Sequence, residues 1–313
     1  MSGRKFYKKG DTVAGLTVLA EVGRGAASVI YLVQDPKTKQ IWALKHVIRK
    51  TKKDQRFIDQ TEQEYAIGSK LDDPLLRKVV KLIKKRTMLT LREVYLLMEY
   101  VDGVSLEQDR PDAIIDLVNI FNLSAKGLAH MHAKGFVHAD IKPNNIILVE
   151  NSVKIIDLGQ SCPIGFVKER IQGTPDYIAP EQVHRRPITP KTDIYNLGAT
   201  MYWRLTGKHI PTALPKGDSL VGSLDDQFIE KPTPVSELNP DIPDRLATLI
   251  MACVEVDPDH RPADMGLVAD RLDLIHAQLT AQALHANGVP LIEDNEDEDD
   301  EGNDTGASER ITA

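Results

Sequence analysis

From Leu16 to Val101 the apolar residues come in short runs: Leu16 to Leu19, Val29 to Val33, Ile41 to Leu44 and Val94 to Met98. β-Branched and aromatic residues are frequent in these runs, and Gly, Asp-Pro or charge bounds them, which predicts strands. Between Asp54 and Leu71 the spacing changes: Phe57, Ile58, Tyr65, Ala66, Ile67 and Leu71 fall near helical intervals, with a weak stretch from Asp59 to Glu64, so one helix is predicted among the strands. After Asp102-Gly103 the period is helical. The segment from Asp112 to His132 carries an apolar set wide enough for a largely buried helix, Ile114, Leu117, Val118, Phe121, Leu128 and Met131 among it. Two short strand-like pieces follow, Ile146 to Leu148 and Val153 to Ile156, and helices are predicted again near Pro190–Leu205, Pro243–Val254 and Ala263–Leu284.

A small β-rich part, a glycine-marked connection and a larger helical part make an α+β, two-lobed arrangement, and clefts between such lobes commonly hold ligands. No fixed-period repeat is present, which argues against solenoids and propellers. At 313 residues and 42% apolar content the chain can build two real cores. No apolar run approaches the ~18 residues of a spanning helix. Met1 to Phe6 has basic residues with no apolar core behind them, and position 2 is Ser rather than the Gly that myristoylation requires. Cys162 and Cys253 are the two cysteines and lie in no metal-ligand spacing, as suits a reducing compartment. The expected location is the cytoplasm, with no membrane partner.

The net charge of -7 is unevenly spread. Residues 291–313 hold ten carboxylates against Arg310, so the remainder is close to neutral and lacks the basic balance of a general nucleic-acid binder. Glu293 to Glu301 is eight carboxylates in nine residues, a block that repels itself and buries no apolar area, so residues 286–313 are expected to form a disordered acidic tail. The basic stretch Arg77, Lys78, Lys81, Lys84, Lys85 and Arg86 is read as a solvated face, with docking of an acidic partner or of the tail as the alternative.

Candidate chemistry begins at Gly23-Arg24-Gly25-Ala26-Ala27-Ser28, two glycines between strand-like runs. Such a segment is either a hairpin turn or a loop whose amides approach a phosphate closely. It is not a dinucleotide fingerprint, because β-branched residues rather than a helix follow it. Lys45 ends an apolar strand pattern, and Glu64 on the following helix could hold its ammonium in place. Farther on, the polar loops His138 to Asn145 and Asp157 to Gly159 each adjoin a short apolar strand. Two carboxylates and an amide at this spacing supply hard oxygen ligands for Mg²⁺ and leave one carboxylate to orient a hydroxyl.

With these motifs in this order, the chain from about Leu16 to Leu272 resembles the eukaryotic-like (Hanks-type) serine/threonine protein kinases found also in bacteria. The resemblance implies a bilobal kinase fold with an N-terminal extension (1–15), a small lobe (16–101), a large lobe (102–285) and the acidic tail. It implies ATP and Mg²⁺ as cofactors and a protein as substrate, with the chain itself among the candidate acceptors. By that resemblance Gly23 and Gly25 match the nucleotide-covering loop, with Arg24 and Ser28 in it. Lys45 matches the lysine on the α- and β-phosphates, Glu64 its helix partner, Asp140 the catalytic carboxylate, Lys142 the lysine on the γ-phosphate, and Asn145 and Asp157 the Mg²⁺ ligands. Met98 matches the gatekeeper, Glu99 to Val101 the hinge at adenine, and Ile30, Ala43 and Ile147 the apolar walls of the nucleotide site. Gly173 to Glu181 resembles the substrate-docking end of the activation segment, and Glu181, Asp193 and Arg261 match architectural positions. Lys142 and Thr174 favour a serine or threonine acceptor.

Four positions depart from the family pattern. Ser28 stands at the third loop glycine, and Leu158 replaces the commoner Phe beside Asp157. Gly68 stands where an apolar side chain normally completes the stack linking the lobes, which leaves the placement of the helix in question. Ala139 replaces the arginine that receives a phosphate on the activation segment. Between Gly159 and Ala179 the hydroxyls are those of Ser161, Thr174 and Tyr177. Activity without activation-segment phosphorylation is therefore expected, with Lys168 and Arg170 the candidates for a phosphate clamp if that expectation fails. The competing readings are a nucleotide-binding pseudokinase scaffold and a small-molecule kinase; the docking-type segment speaks against the second and the complete set Lys45, Glu64, Asp140, Asn145 and Asp157 against the first.

Overall fold

The computed structural model describes residues 6–25, 27–87, 90–212, 214 and 229–286. Its first part is a six-stranded antiparallel sheet of order β1-β2-β3-β4-β6-β5, from β1 (Thr12–Val13), β2 (Leu16–Arg24), β3 (Ser28–Gln34), β4 (Ile41–Ile48), β5 (Val79–Thr87) and β6 (Thr90–Glu99). Helix α1 (Gln55–Gly68) lies between β4 and β5 in the chain. Strand residues alternate between faces, so register decides what each face carries. Leu16, Val18, Val29, Tyr31, Val33, Leu44 and Leu97 pack together in one core of the small lobe. The alternate positions Ala43, Leu96 and Met98 join the core that continues into the helical part, with Ile30 packed against it. Because Ile30 pairs with Lys45, and Lys45 with Leu96, this same alternation puts Lys45 on the inner face.

The second part is helical: α2 (Ile114–Ala133), α3 (Pro180–Val183), α4 (Pro190–Thr206), α5 (Val235–Leu238), α6 (Asp244–Cys253) and α7 (Met265–Ala286). Helix α4 is buried on every side from Thr192 to Trp203, the pattern of a central helix. Helices α2 and α7 pack together, joined at the surface by Asp273, which accepts from Asn122 Nδ2 at 2.6 Å and Lys126 Nζ at 2.9 Å. Between β6 and α2 lies β7 (Val104–Ser105). Between α2 and α3 come β8 (Phe136–Val137), the hairpin of β9 (Ile146–Val149) and β10 (Ser152–Ile155), and β11 (Cys162–Pro163), which pairs with β8. These short strands hold the two polar loops side by side.

Two expectations need correction here. Residues 6–15 are folded onto the sheet rather than extending from it: Thr12–Val13 pairs with β2, and Tyr7 Oη lies 3.0 Å from Tyr95 Oη. The buried Val13 explains this, since its side chain completes the outer core. The basic stretch 77–86 is largely an edge strand whose lysines face solvent, but Arg77 is no part of that face; its side chain is 11% exposed and points at Glu64. The acidic tail, apart from Ala286, lies outside the described residues. Among the described residues no helix is long and apolar enough to cross a membrane.

Candidate active site

On the inner face of the sheet Lys45 Nζ donates to Glu64 Oε2 at 2.5 Å, and the Glu64 side chain is fully buried. Helix α1 buries Ile58, Thr61, Glu64, Ile67 and Gly68, so the carboxylate belongs to the stripe that meets the sheet. Burial alone would lower the Lys45 pKa, but the Glu64 and Asp157 carboxylates outweigh it and the ammonium is held in its charged form. Asp157 answers in kind. Burial would raise its pKa, yet the fields of Lys45, Arg77 and His138 hold it below the usual carboxylate value. Asp157 takes a left-handed backbone, φ 65°, and its carboxylate accepts from the Gly159 N–H at 3.4 Å.

The question raised by Gly68 is answered by packing. A Cβ built on Gly68 would come 2.5 Å from Val79 Cγ2 and 3.1 Å from Leu158 Cδ1. Val79 on β5 and Leu158 beside Asp157 thus fill the space a larger residue would occupy, and α1 is placed with Glu64 on Lys45.

The loop from His138 to Asn145 is anchored from below by Asp193 in the first turn of α4. Its carboxylate accepts from the N–H of His138 at 2.8 Å and of Ala139 at 2.7 Å, and His132 Nε2 lies 2.8 Å away. Burial would raise the Asp193 pKa, and the His132 hydrogen bond, the charges of His132 and His138 and the His138 backbone N–H reverse that, leaving it lowered. These bonds hold Ala139 in a left-handed conformation, φ 60°, which costs a non-glycine residue about 1 kcal/mol or more. The strained turn presents Asp140. Lys142 Nζ donates to Asp140 Oδ2 at 3.0 Å and to Thr174 Oγ1 at 2.8 Å, and Thr174 Oγ1 donates to Asp140 Oδ1 at 2.9 Å. Asn145 Nδ2 donates to the Asp140 carbonyl at 2.8 Å, so its amide oxygen is the end left to accept or to ligate a cation.

The glycine segment is the hairpin between β2 and β3. Gly25 N–H donates to Ser28 O at 2.9 Å, and a Cβ on Gly25 would lie 2.8 Å from Ser28 Oγ. The segment is thus a hairpin turn, with the Ser28 hydroxyl folded back on Gly25. Arg24 directs its guanidinium away, to Glu21 at 2.7 and 2.8 Å and over the Phe6 ring, so only its backbone can serve the cleft. Ala43 and Met98 pair across β4 and β6, and Ile30 is half-buried beside them. Glu99 is tied to Lys154 at 2.9 Å, whereas Val101, just past β6, keeps its N–H out of backbone pairing among the described residues. Ile147 pairs with Lys154 in the β9–β10 hairpin and is half-buried.

The activation-type segment ends on a rigid base. All five donors of Arg261 are used: two reach Glu181 at 2.8 and 2.9 Å, and the rest bond the carbonyls of Glu255, Lys191 and Val256. Gln182, which no sequence signal marked, donates to the Ala139 carbonyl at 2.9 Å and accepts from Asn196 at 3.1 Å, joining the loop, the segment and α4. Arg77 stood out in the sequence only as one end of the basic stretch, and nothing there pointed it at Glu64. Cys162 is buried and its thiol is pushed up to about 11, chiefly by burial, which removes the nucleophilic thiolate a redox switch would need.

Comparison with known proteins agrees with this arrangement. The protein kinase domain family model matches residues 16–272. Serine/threonine-protein kinase PrkC of Bacillus subtilis is 28% identical over 298 residues, which are 89% of this chain and 44% of PrkC. Serine/threonine-protein kinase PknB of Mycolicibacterium smegmatis is 28% identical over 77% of this chain and 39% of its own. The crystal structure of the Mycobacterium tuberculosis PknI kinase domain aligns with a TM-score of 0.64 at 24% identity, covering 87% of this chain and all of that one. The fold is that of the bilobal protein kinases. The chain belongs to the protein kinase family, within which it is similar to the bacterial serine/threonine kinases, and it spans less than half the length of these two curated relatives.

Proposed function

We propose that this chain transfers the γ-phosphate of ATP to serine or threonine hydroxyls of a protein substrate, and that it does so with no phosphate on its activation segment. The observation that carries the reading is the closed triangle of Asp140, Lys142 and Thr174, formed while Lys45 is paired with Glu64. Asp140 orients the acceptor hydroxyl and takes up its proton, and Lys142 offsets charge on the phosphoryl group being moved. Lys45, fixed by Glu64, meets the α- and β-phosphates, and the glycine hairpin covers them. Asp157 and the Asn145 amide oxygen form the donor set for Mg²⁺, which when bound neutralises phosphate charge; hard oxygen donors, few in number, suit an ion that keeps waters and phosphate oxygens as its other ligands.

Independence from phosphorylation is supported by the segment itself. Thr174 is engaged with Asp140 and Lys142, and Ser161 is buried with Oγ 3.4 Å from the His138 carbonyl. The test is intact-protein mass after phosphatase treatment and incubation with Mg²⁺ and ATP, run with a generic protein acceptor and beside Asp140→Asn. Phosphate gain with the parent alone is expected. No gain, with ATP still bound, would favour the scaffold reading.

A further inference from the structure

Within residues 164–171 four apolar side chains face out and one lysine faces in. Ile164, Phe166, Val167 and Ile171 are 43–51% exposed, whereas Lys168 is 6% exposed, although its charged neighbours Glu169 and Arg170 face solvent. Burying an ammonium among uncharged acceptors costs free energy. Lys168 Nζ donates to the Gln160 carbonyl at 2.8 Å and meets Gln160 Oε1 at 3.4 Å, and neither acceptor is a carboxylate. Its pKa is lowered, chiefly by burial, while the thiol of Cys162 and the carboxylates of Asp140 and Asp193 act in the opposite sense. Stability alone gives no reason to place a lysine there.

Position gives one. Gln160 directly follows Asp157-Leu158-Gly159, and Lys168 reaches back to it from eight residues on, closing the first half of the segment into a loop. The other side of that loop is fastened by backbone: Gly165 N–H donates to Ile188 O at 2.7 Å and Ile188 N–H to Phe166 O at 2.9 Å. On the catalytic-loop side stands Ala139, whose methyl packs with Val137, Cys162 and Ile188 and brings no charge. From Cys162 to Gly173 the segment has no Ser, Thr or Tyr, so no phosphate can arise within that stretch to meet this cation.

We propose that Lys168 is a positioning residue: its buried ammonium, bonded to Gln160, closes the first half of the activation segment on itself beside the catalytic loop and takes the place of the arginine-to-phosphate link that Ala139 removes. This rests on the reading of the chain as a kinase active without segment phosphorylation, and it assigns the device that makes that activity possible.

The test compares phosphatase-treated parent, Lys168→Met and Lys168→Arg by steady-state kinetics, and by endoproteinase cleavage after the exposed Glu169. Lys168→Met should lose about ten-fold or more in kcat while KM for ATP stays within about two-fold, and Lys168→Arg should recover most of the loss. Cleavage after Glu169 should quicken about ten-fold in Lys168→Met, as expected when a local closing interaction is removed. Should Lys168→Met fail to fold, Lys168→Gln is measured in its place. Parental kcat together with parental cleavage overturns the proposal. If the phosphatase-treated parent is itself inactive, cleavage decides: faster cutting in Lys168→Met upholds the closure of the segment by Lys168 and overturns its role in place of a phosphate, and unchanged cutting overturns both.

Discussion

Arg77 Nη2 lies 3.7 Å from Glu64 Oε1, the carboxylate oxygen that Lys45 does not use. That oxygen is buried with no hydrogen bond, so Arg77 meets it by charge rather than by a bond. The Arg77 N–H donates to the Ile155 carbonyl at 2.9 Å, two residues before Asp157, so one residue ties α1 to the strand that leads to Asp157.

Removing that charge has a defined expected outcome. Lys45 still neutralises Glu64, so the loss should fall below the ~3–5 kcal/mol of a stripped buried pair, at about 1 kcal/mol. Arg77→Leu should lower the melting temperature by about 2 °C and weaken ATP binding, with Arg77→Lys recovering part of both. Nucleotide affinity equal to the parent's would show that α1 is placed without Arg77.

Gly68 offers a test by packing. Gly68→Ala forces a methyl to within 2.5 Å of Val79 Cγ2, and overpacking of this kind costs about 1–3 kcal/mol. Val79→Ala alone opens a cavity and is also destabilising. The double variant should be more stable than the sum of the two losses allows, because each change relieves the other. Strict additivity in denaturant unfolding would refute the contact.

The anchoring carboxylate sets an acid limit. The unfolded Asp193 titrates near its ordinary 3.8 and the folded one below it, burial being overcome by the partners at His132, His138 and Ala139. A depressed folded pKa gives stability that is complete above the unfolded value and lost as pH falls through the folded one. Asp193→Asn should be less stable at neutral pH and should show a shallower loss of stability below 3.8 than the parent. Parallel acid-unfolding curves for the two proteins would contradict this.

Both thiols should be unreactive while the protein is folded. Burial pushes Cys162 up to about 11 and Cys253 up to about 12, and each side chain is fully enclosed. Iodoacetamide at pH 8 should therefore label neither until denaturant is added, after which both react, as mass spectrometry would report. Rapid native labelling of Cys162 would contradict its enclosure in the folded protein.

Much of this was legible beforehand. The strands around Leu16, Val29, Ile41 and Val94 announce themselves because each has a face to bury, and α2, α4, α6 and α7 for the same reason. Helix α1 was faint because two of its buried positions, Thr61 and Glu64, are polar, and the polarity that blurs the stripe belongs to the site itself. Strand β5 was missed because an edge strand with Lys81, Lys84 and Lys85 lacks clean alternation, although Leu82 and Ile83 are half-buried.

By itself the sequence determined which residue types stand near which strand and loop; the pairing register of β3, β4 and β6 then put Ile30, Ala43, Lys45, Leu96 and Met98 on one face. Periodicity works at that level because burial of a face repeats along the chain. The tertiary structure alone decided that Val79 and Leu158 fill the space at Gly68, that Arg77 comes to Glu64, and that Lys168 turns inward while Phe166 and Val167 turn out. Those outcomes depend on volumes and charges brought together from distant parts of the chain, and no local spacing records which neighbour will arrive.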